Sequence, residues 1–334
     1  MHARSWLCAL VVLVVAGCGD GGQAEPVPPL RVVTFNTGTS EGLPHDAVPD
    51  DGYGRPQAAI SDRWYGDGLA WLPVVEDVRR FLADVRPDVI AFQEIFHSDD
   101  CAGIPEEARQ GWVCEDWLPG APVVAQHVLG AGYQVACHLG KTDKCLGVRR
   151  GFARLRGCDD DLCLDGLEGV PVPGCGSGSR VGRAVLELTS GEELTVVSVH
   201  GTSGFGSSDV ACRQAQFAQA FVDFGDGSGE PAANGARNVI LGDFNTDPGR
   251  ATRLDASARA LAEATGPGSR FRFLSAVGAD APPTYAGVFN IDHVIADRFA
   301  GACWSPGVGA GGTPVSPVVY LDHTPVVCDL MPQG

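Results

Sequence analysis

Carboxylates, amides and imidazoles recur in this chain at the ends of short apolar runs. Asn36 closes RVVTFN, Gln93 and Glu94 close DVIAFQE, and His200 follows VVSV. Asp243 and Asn245 follow VIL in Gly-Asp-Phe-Asn, Asp292 and His293 open one late run, and Asp322 and His323 open the last. Hydrolysis of a phosphate ester needs these residue types: a held cation to offset phosphoryl charge, a base or orienting group for water, and donors for the nonbridging oxygens. Taken singly, each residue has a plainer explanation, Asn36 as a turn former, Glu94 as an exposed strand end, Asp322 as a loop cap. Strand ends are also where side chains from separate strands can meet in one cleft.

Periodicity predicts the strands and helices around these residues. Segments 31–36 and 88–93 read as strands buried on both faces, with a helix between them in which Val74, Val75, Val78, Phe81, Leu82 and Val85 repeat at helical spacing after Pro73 and before Pro87. Strands over 181–188 and 194–199 form a hairpin across Ser190 and Gly191. A helix over about 209–224 follows, with Asp209 as its N-cap and Phe217, Phe221 and Phe224 near one face. Later come a strand at 238–241, an Ala-rich helix near 253–265, a strand around 293–296 and a last one at 324–330. Strands that alternate with helices in some places and pair directly in others predict mixed sheets covered by helices.

The ordered set TFN36, DVIAFQE94, SVH200, GDFN245, ID292HV and LD322HTPV resembles, motif for motif, the endonuclease/exonuclease/phosphatase superfamily, which includes apurinic endonucleases, pancreatic-type deoxyribonucleases, bacterial sphingomyelinases and inositol-polyphosphate phosphatases. The resemblance runs from about Leu30 to Leu330 and leaves the Cys-rich segment unmatched. It implies an α+β fold, a four-layer α/β sandwich of two mixed, mainly antiparallel sheets packed face to face and flanked by helices. It implies a divalent-metal-dependent phosphodiesterase in which Glu94 is the principal metal carboxylate, with Asn36 beside it and Asp322 as a further ligand. Such hard oxygen ligands suit Mg²⁺ or Mn²⁺ better than zinc, with Ca²⁺ also compatible. By the same resemblance Asp243 orients or deprotonates water, Asn245 and His200 donate to phosphoryl oxygens, and His323 lies against the phosphate, paired with Asp292. His293 neighbours Asp292 on a strand, so its side chain points to the other face and reads as structural. Two departures stand out: Gly38 replaces the acid that some nuclease relatives carry two residues after the first Asn, and Leu321 precedes Asp322-His323 where Ser is often found.

At 334 residues and 44% hydrophobic composition the chain can bury a large core. Arg4, the apolar run 7–16 and the small residues before Cys18 read as a signal peptide over 1–17, too short for a transmembrane span. Those small residues resemble a bacterial lipobox, which implies lipidation of Cys18, export across the inner membrane and anchoring in the periplasm or at the cell surface. An ordinary secretory signal or an uncleaved anchor are the alternatives. Residues 18–29, rich in Gly and Pro, then serve as a tether, and 30–334 form the domain, with a Cys-rich insertion at about 97–178. Apart from Cys8 and Cys18, ten of the twelve cysteines remain, an even number suited to as many as five disulfides in an oxidising compartment. The competing zinc reading lacks any CxxC pair.

A net charge of −17 disfavours nonspecific polyanion binding. The run from Lys141 to Arg156 nevertheless carries six basic residues, among them Arg149 and Arg150, and could touch a phosphate-rich substrate or be a solvated loop. Nucleic acid and phospholipid headgroups are the two substrate classes; the second is favoured by the tether and by Gln93-Glu94-Ile95-Phe96, which looks like the sphingomyelinase context. No protein partner is indicated. A noncatalytic binding or adhesion module that kept the fold is the alternative from another class, and such relatives should lose Glu94, Asp243 or His323 first.

Overall fold

The computed structural model describes residues 27–39 and 52–333, so the signal peptide, Cys18 and most of the tether lie outside the described residues. In chain order the elements are β1 (Leu30–Asn36), α1 (Arg55–Ile60), α2 (Leu72–Val85), β2 (Val89–Gln93), α3 (Val124–Leu129), β3 (Tyr133–His138), β4 (Lys141–Arg149), β5 (Ala153–Leu155), β6 (Leu162–Cys163) and β7 (Glu168–Gly169). They continue with β8 (Val181–Leu188), β9 (Glu193–His200), α4 (Ser207–Phe221), β10 (Asn238–Asp243), α5 (Ala256–Ala264), β11 (Arg272–Phe273), β12 (Asp292–Ala296), β13 (Phe299–Trp304) and β14 (Val326–Pro332).

Two seven-stranded sheets result. The first runs β13-β14-β1-β2-β4-β3-β6; the second runs β11-β12-β10-β9-β8-β5, with β7 paired to β8. Alternation along each strand divides the apolar residues between two faces. Val32, Val89, Ala91 and Leu146 of one sheet meet Leu186, Val196, Leu241 and Val294 of the other in the central core. The opposite faces carry Val33, Phe35, Ile90 and Phe92 against α2 and α3, and Val197, Val199, Ile240 and Ile295 against Phe217, Ala220 and Leu261 of α4 and α5. This is the expected four-layer α/β sandwich. Val27 is buried in the central core too, so the packed domain begins inside the segment read as tether.

Local chemistry accounts for the boundaries. Pro73 sits in the first turn of α2, and Arg86, at φ 50°, ends that helix in the left-handed conformation just before Pro87. In α4 the cap differs from expectation: Gly206 is the N-cap, and Asp209, one turn in, accepts a hydrogen bond from the Gly206 N–H at 3.0 Å. Asp255 caps α5 by accepting from the Ser257 N–H.

The Cys-rich stretch was expected to be an insertion of loops and short strands, with segment 151–155 crossing the core sheet. Short β5 over Ala153–Leu155 does pair with β8, but β3 and the nine-residue β4 lie inside the first sheet, β4 directly beside β2. Disulfides join Cys101–Cys114, Cys137–Cys145, Cys158–Cys163, Cys175–Cys212 and Cys303–Cys328. All ten cysteines expected to pair do so, which leaves no free thiolate for zinc among the described residues. No helix among the described residues is long and apolar enough to cross a membrane.

Candidate active site

Strand direction explains why the six motifs meet. Each sheet contains a parallel pair, β1 with β2 and β9 with β10, so the last residues of each pair lie side by side: Asn36 against Gln93, and Asp243 against His200. Antiparallel β12 then sets its first residue, Asp292, opposite Asp243. Likewise β14 runs antiparallel to β1, with Val326 opposite Thr34, so the residues just before it, Asp322 and His323, project beyond Asn36. The Asp322 N–H donates to the Gly38 carbonyl at 3.3 Å and ties the two segments together.

Asn36, Glu94, Asp243, Asn245, Asp322 and His323 line one cleft of about 250 Å³. Asp243 is buried and accepts three hydrogen bonds, from the Asn245 N–H (2.8 Å), Asn245 Nδ2 (2.9 Å) and Asn36 Nδ2 (3.1 Å). Asn36 Oδ1 in turn accepts from the Gly38 N–H at 3.0 Å. His323 Nδ1 bonds Asp292 Oδ2 at 2.8 Å, and its Nε2 faces Asp243 Oδ2 at 3.9 Å. His200 Nε2 lies 3.4 Å from Glu94 Oε1 and 3.7 Å from Asp243 Oδ2, tucked behind the cleft between the two sheets.

Electrostatically the site is short of positive charge. Burial, with Asp322 and Asp243 adding to it, pushes the Glu94 carboxyl up to about 7 despite His323 and Lys144. Burial and the neighbouring Asp292 likewise push Asp243 up to about 7. Burial would lower His323, but the charge and hydrogen bond of Asp292, with Asp243 and Asp322, outweigh it and raise the imidazole to about 10, so it is cationic at neutral pH. His200 is pushed the other way, by burial and then by Lys144 and Arg180, and stays neutral.

The donor set fits a divalent cation. Glu94 opens to the cleft with its side chain one-third exposed, and Glu94 adopts φ 56°, a conformation that costs a non-glycine residue about 1–2 kcal/mol. Its peptide is held there by the Leu69 N–H on its carbonyl at 3.1 Å and by the next N–H, of Ile95, on the Asp143 carbonyl at 3.1 Å. Two carboxyls raised toward neutrality in one cleft are those a divalent ion would bring down, with release of protons. Gly38 belongs to this arrangement: a Cβ there would fall 2.0 Å from Glu94 Oε2, so the acid found in some relatives cannot coexist with this Glu94 rotamer. Gly242 of Gly-Asp-Phe-Asn is fixed similarly, since its Cβ would lie 1.8 Å from the Val199 carbonyl oxygen on the parallel neighbour. Asp243, Asp292 and His323 are also close enough to share an ion, but a cationic imidazole bonded to Asp292 makes a hydrogen-bonded relay and a poor ligand.

Arg149 and Arg150 are not in the cleft. Because β4 runs antiparallel to β2, Arg149 lies at the far end, about 17 Å along the strand from Lys144, and bonds Asp88, while Arg150 bonds Asp161. The basic run is therefore split, and only its start reaches the site. Lys144 is buried, hydrogen-bonded to Asp143 at 3.0 Å, and burial brings its ammonium down to about 7. Arg180 was missed: Val181 pairs with Val199, so the residue before β8 lies beside His200, and the Arg180 carbonyl accepts from the His200 N–H at 2.8 Å. The predicted hairpin register contained that information. Tyr285, whose ring centroid is 4.6 Å from that of His323, sits in a loop with no periodic signal.

His293 faces away from the cleft, as expected, packed between Phe244 and Phe273 with its Nδ1 3.2 Å from Ser275 Oγ. Burial pushes its imidazole down to about 4. The unfolded chain therefore takes up a proton near pH 6.5 that the folded chain refuses until about pH 4, and stability is lost as pH falls through that window. The loss attributable to His293 reaches about 3 kcal/mol. Urea unfolding of the wild type and His293→Phe between pH 4 and 7 checks this: the difference in slope should vanish above pH 6.5, and parallel curves throughout contradict it.

The model of the Endonuclease/Exonuclease/phosphatase family matches residues 33–323. Solved structures with the same fold include an endonuclease/exonuclease/phosphatase from Beutenbergia cavernae (17% identity, TM-score 0.53, 92% of this chain and 72% of that one). They also include the human nocturnin catalytic domain with bound sulfate (14%, TM-score 0.52, 92% and 94%) and a truncated Caenorhabditis elegans TDP2 (12%, TM-score 0.52, 91% and 98%). No curated protein sequence matches the chain.

Proposed function

Because the chain belongs to the endonuclease/exonuclease/phosphatase family and is a hydrolase acting on phosphate ester bonds, we propose that it is a divalent-metal-dependent phosphodiesterase, with Mg²⁺ or Mn²⁺ as the ion. The observation that carries this reading is the convergence of Glu94, Asp243, Asn245 and the Asp292-His323 pair from both sheets onto one cleft. Glu94, with Asp322 and Asn36 beside it, would hold the cation, whose charge offsets that of the phosphoryl oxygens when bound. Asp243, its carboxylate fixed by three donors, orients the attacking water and takes its proton. Cationic His323, its tautomer set by Asp292, stands against the negative charge that builds in the transition state. Asn245, whose Nδ2 donates one hydrogen to the Gly201 carbonyl (3.0 Å) and the other to Asp243 (2.9 Å), would turn one of them to a phosphoryl oxygen when substrate is bound. Neutral His200, its Nε2 3.4 Å from Glu94 Oε1 and 3.7 Å from Asp243 Oδ2, stands beside both carboxyls as a donor for a phosphoryl oxygen.

The signal-like N-terminus and the paired cysteines support a further part of the reading, that the protein is exported and tethered by lipid at Cys18. Metal titration separates an enzyme from a binding module that merely kept the fold. The wild type should bind Mn²⁺ stoichiometrically in calorimetry, and Glu94→Gln and Gly38→Ala should each weaken binding at least about tenfold. Binding that both variants leave intact places the ion elsewhere and removes Glu94 from the site.

A further inference from the structure

A second pocket, of about 440 Å³, opens beside the cleft and shares Ser203, Asn245 and Tyr285 with it. Its walls are apolar, formed by Phe205, Val210, Ala251, Leu254, Phe289 and Ile291. The charged groups of the wall are matched within it. Arg213 pairs with Asp255 at 3.1 Å and bonds the Thr202 and Gly204 carbonyls, while Arg250 pairs with Asp247 at 2.8 Å and bonds the Ala279 carbonyl. Nothing ionic is left over for a ligand.

The rim is apolar as well, and exposed. Phe205 is 84% exposed, Leu254 94% and Phe289 36%, so three of the eleven exposed large apolar side chains among the described residues line this one pocket, and Val288, 58% exposed, adjoins Phe289 in the chain. Clustered exposure of this kind marks an interaction site, where scattered single residues do not. The turn carrying Val288 and Phe289 is built, not loose: Tyr285 and Phe289 exchange backbone hydrogen bonds at 2.9 and 3.1 Å, and the Ala286 N–H donates to the Asp322 carbonyl at 2.8 Å. That last bond couples the rim directly to the cleft.

We infer that this pocket takes an alkyl chain of a phospholipid whose phosphodiester occupies the cleft, an assignment that rests on the phosphodiesterase reading. A polynucleotide fits poorly here. It carries a phosphate at every step and needs cations along its track, whereas these walls are neutralised internally and the chain carries a net charge of −17. Nor do the aromatic rings form a stacking platform: Phe205 and Phe289 meet at 47° with centroids 6.1 Å apart, Tyr285 packs on His323, and aliphatic Val210, Ala251, Leu254 and Ile291 form the rest of the apolar wall. An alkyl chain asks only for apolar surface next to the phosphate.

The test compares glycerophosphocholine, which has no chains, with soluble diacyl phosphatidylcholines of increasing chain length below their aggregation concentration, and with a DNA oligonucleotide. Each uses Mg²⁺ and the wild type, Phe205→Asn or Leu254→Asn. Each buried methylene should raise kcat/KM about fourfold over the first few carbons. Both variants should flatten that rise and leave glycerophosphocholine turnover unchanged. A kcat/KM independent of chain length, or an oligonucleotide preferred and cleaved equally by all three proteins, overturns the lipid assignment while leaving the phosphodiesterase reading standing. If nothing is cleaved, including bis(p-nitrophenyl) phosphate, the phosphodiesterase reading fails. Calorimetric binding of dihexanoyl phosphatidylcholine then decides the pocket by itself: at least tenfold weaker binding in both variants supports it, and equal affinity overturns it.

Discussion

Asp243→Asn should lower phosphodiester turnover by about 10²–10⁴-fold, the range expected when a positioned base is lost, and His323→Ala should lower it by about 10²–10³-fold. Neither variant should unfold. In Asp243→Asn the new amide oxygen can keep the Asn36 and Asn245 Nδ2 donors that share Oδ2, but its NH2 then faces the Asn245 N–H, so donor meets donor at a cost of about 1–3 kcal/mol. Against that, the substitution removes a charge from a site where burial, and then the neighbouring Asp292, already push the Asp243 carboxyl up to about 7. These effects offset, and the melting temperature should move only slightly while turnover collapses. Steady-state kinetics together with a thermal melt separate the two outcomes. Near-normal rates in both variants would remove Asp243 and His323 from the chemistry, and a collapse of folding with activity would make Asp243 a structural residue.

Removal of disulfides should destabilise the protein in order of loop length. Cys175–Cys212 closes a separation of 37 residues and ties the loop before β8 to α4; its loss, as a double Cys→Ala variant, should cost about 4 kcal/mol in the chain-entropy picture. Cys158–Cys163 closes a separation of 5 and should cost about 2 kcal/mol. Cys303–Cys328, with a separation of 25, should fall near the upper end. Urea unfolding of the three double variants measures the ranking. An inverted order would show that local packing, and not the entropy of the unfolded chain, sets the contribution of these bonds.

The motif residues were legible because each lies at the end of a strongly apolar strand, and β1, β2, β9, β10 and β12 all sit within a residue or two of their expected bounds. What the linear pattern did not carry was strand direction within the Cys-rich stretch. In β4 the polar Lys141, Thr142, Asp143 and Lys144 precede Cys145, Leu146, Gly147 and Val148, so the strand begins without any alternation and reads as a basic loop. Once β4 is placed antiparallel to β2, Lys144 comes close enough for its charge to act on Glu94 while Arg149 lies at the opposite end, which undoes the expected contact of Arg149 and Arg150 with substrate. The edge strand β13 escaped notice for a different reason: Ala300, Gly301 and Ala302 give it little apolar pattern, and it is held by its pairing with β14 and by Cys303–Cys328. Gly206 displaced Asp209 as the cap of α4 because Asp at the third position can satisfy the cap residue's own N–H. The apolar rim was beyond reach of sequence, since Phe205, Leu254 and Phe289 come from three separate loops.

The most direct test of metal-assisted hydrolysis at this cleft is the rate of bis(p-nitrophenyl) phosphate hydrolysis by the purified protein, measured with Mg²⁺, after chelation, and after Mg²⁺ or Mn²⁺ is restored, with Glu94→Gln alongside. Turnover should disappear with the chelator, return with the metal and be lost in Glu94→Gln at every metal concentration that saturates the wild type. Turnover that persists undiminished under chelation, or survives in Glu94→Gln, would contradict metal-assisted hydrolysis at this cleft.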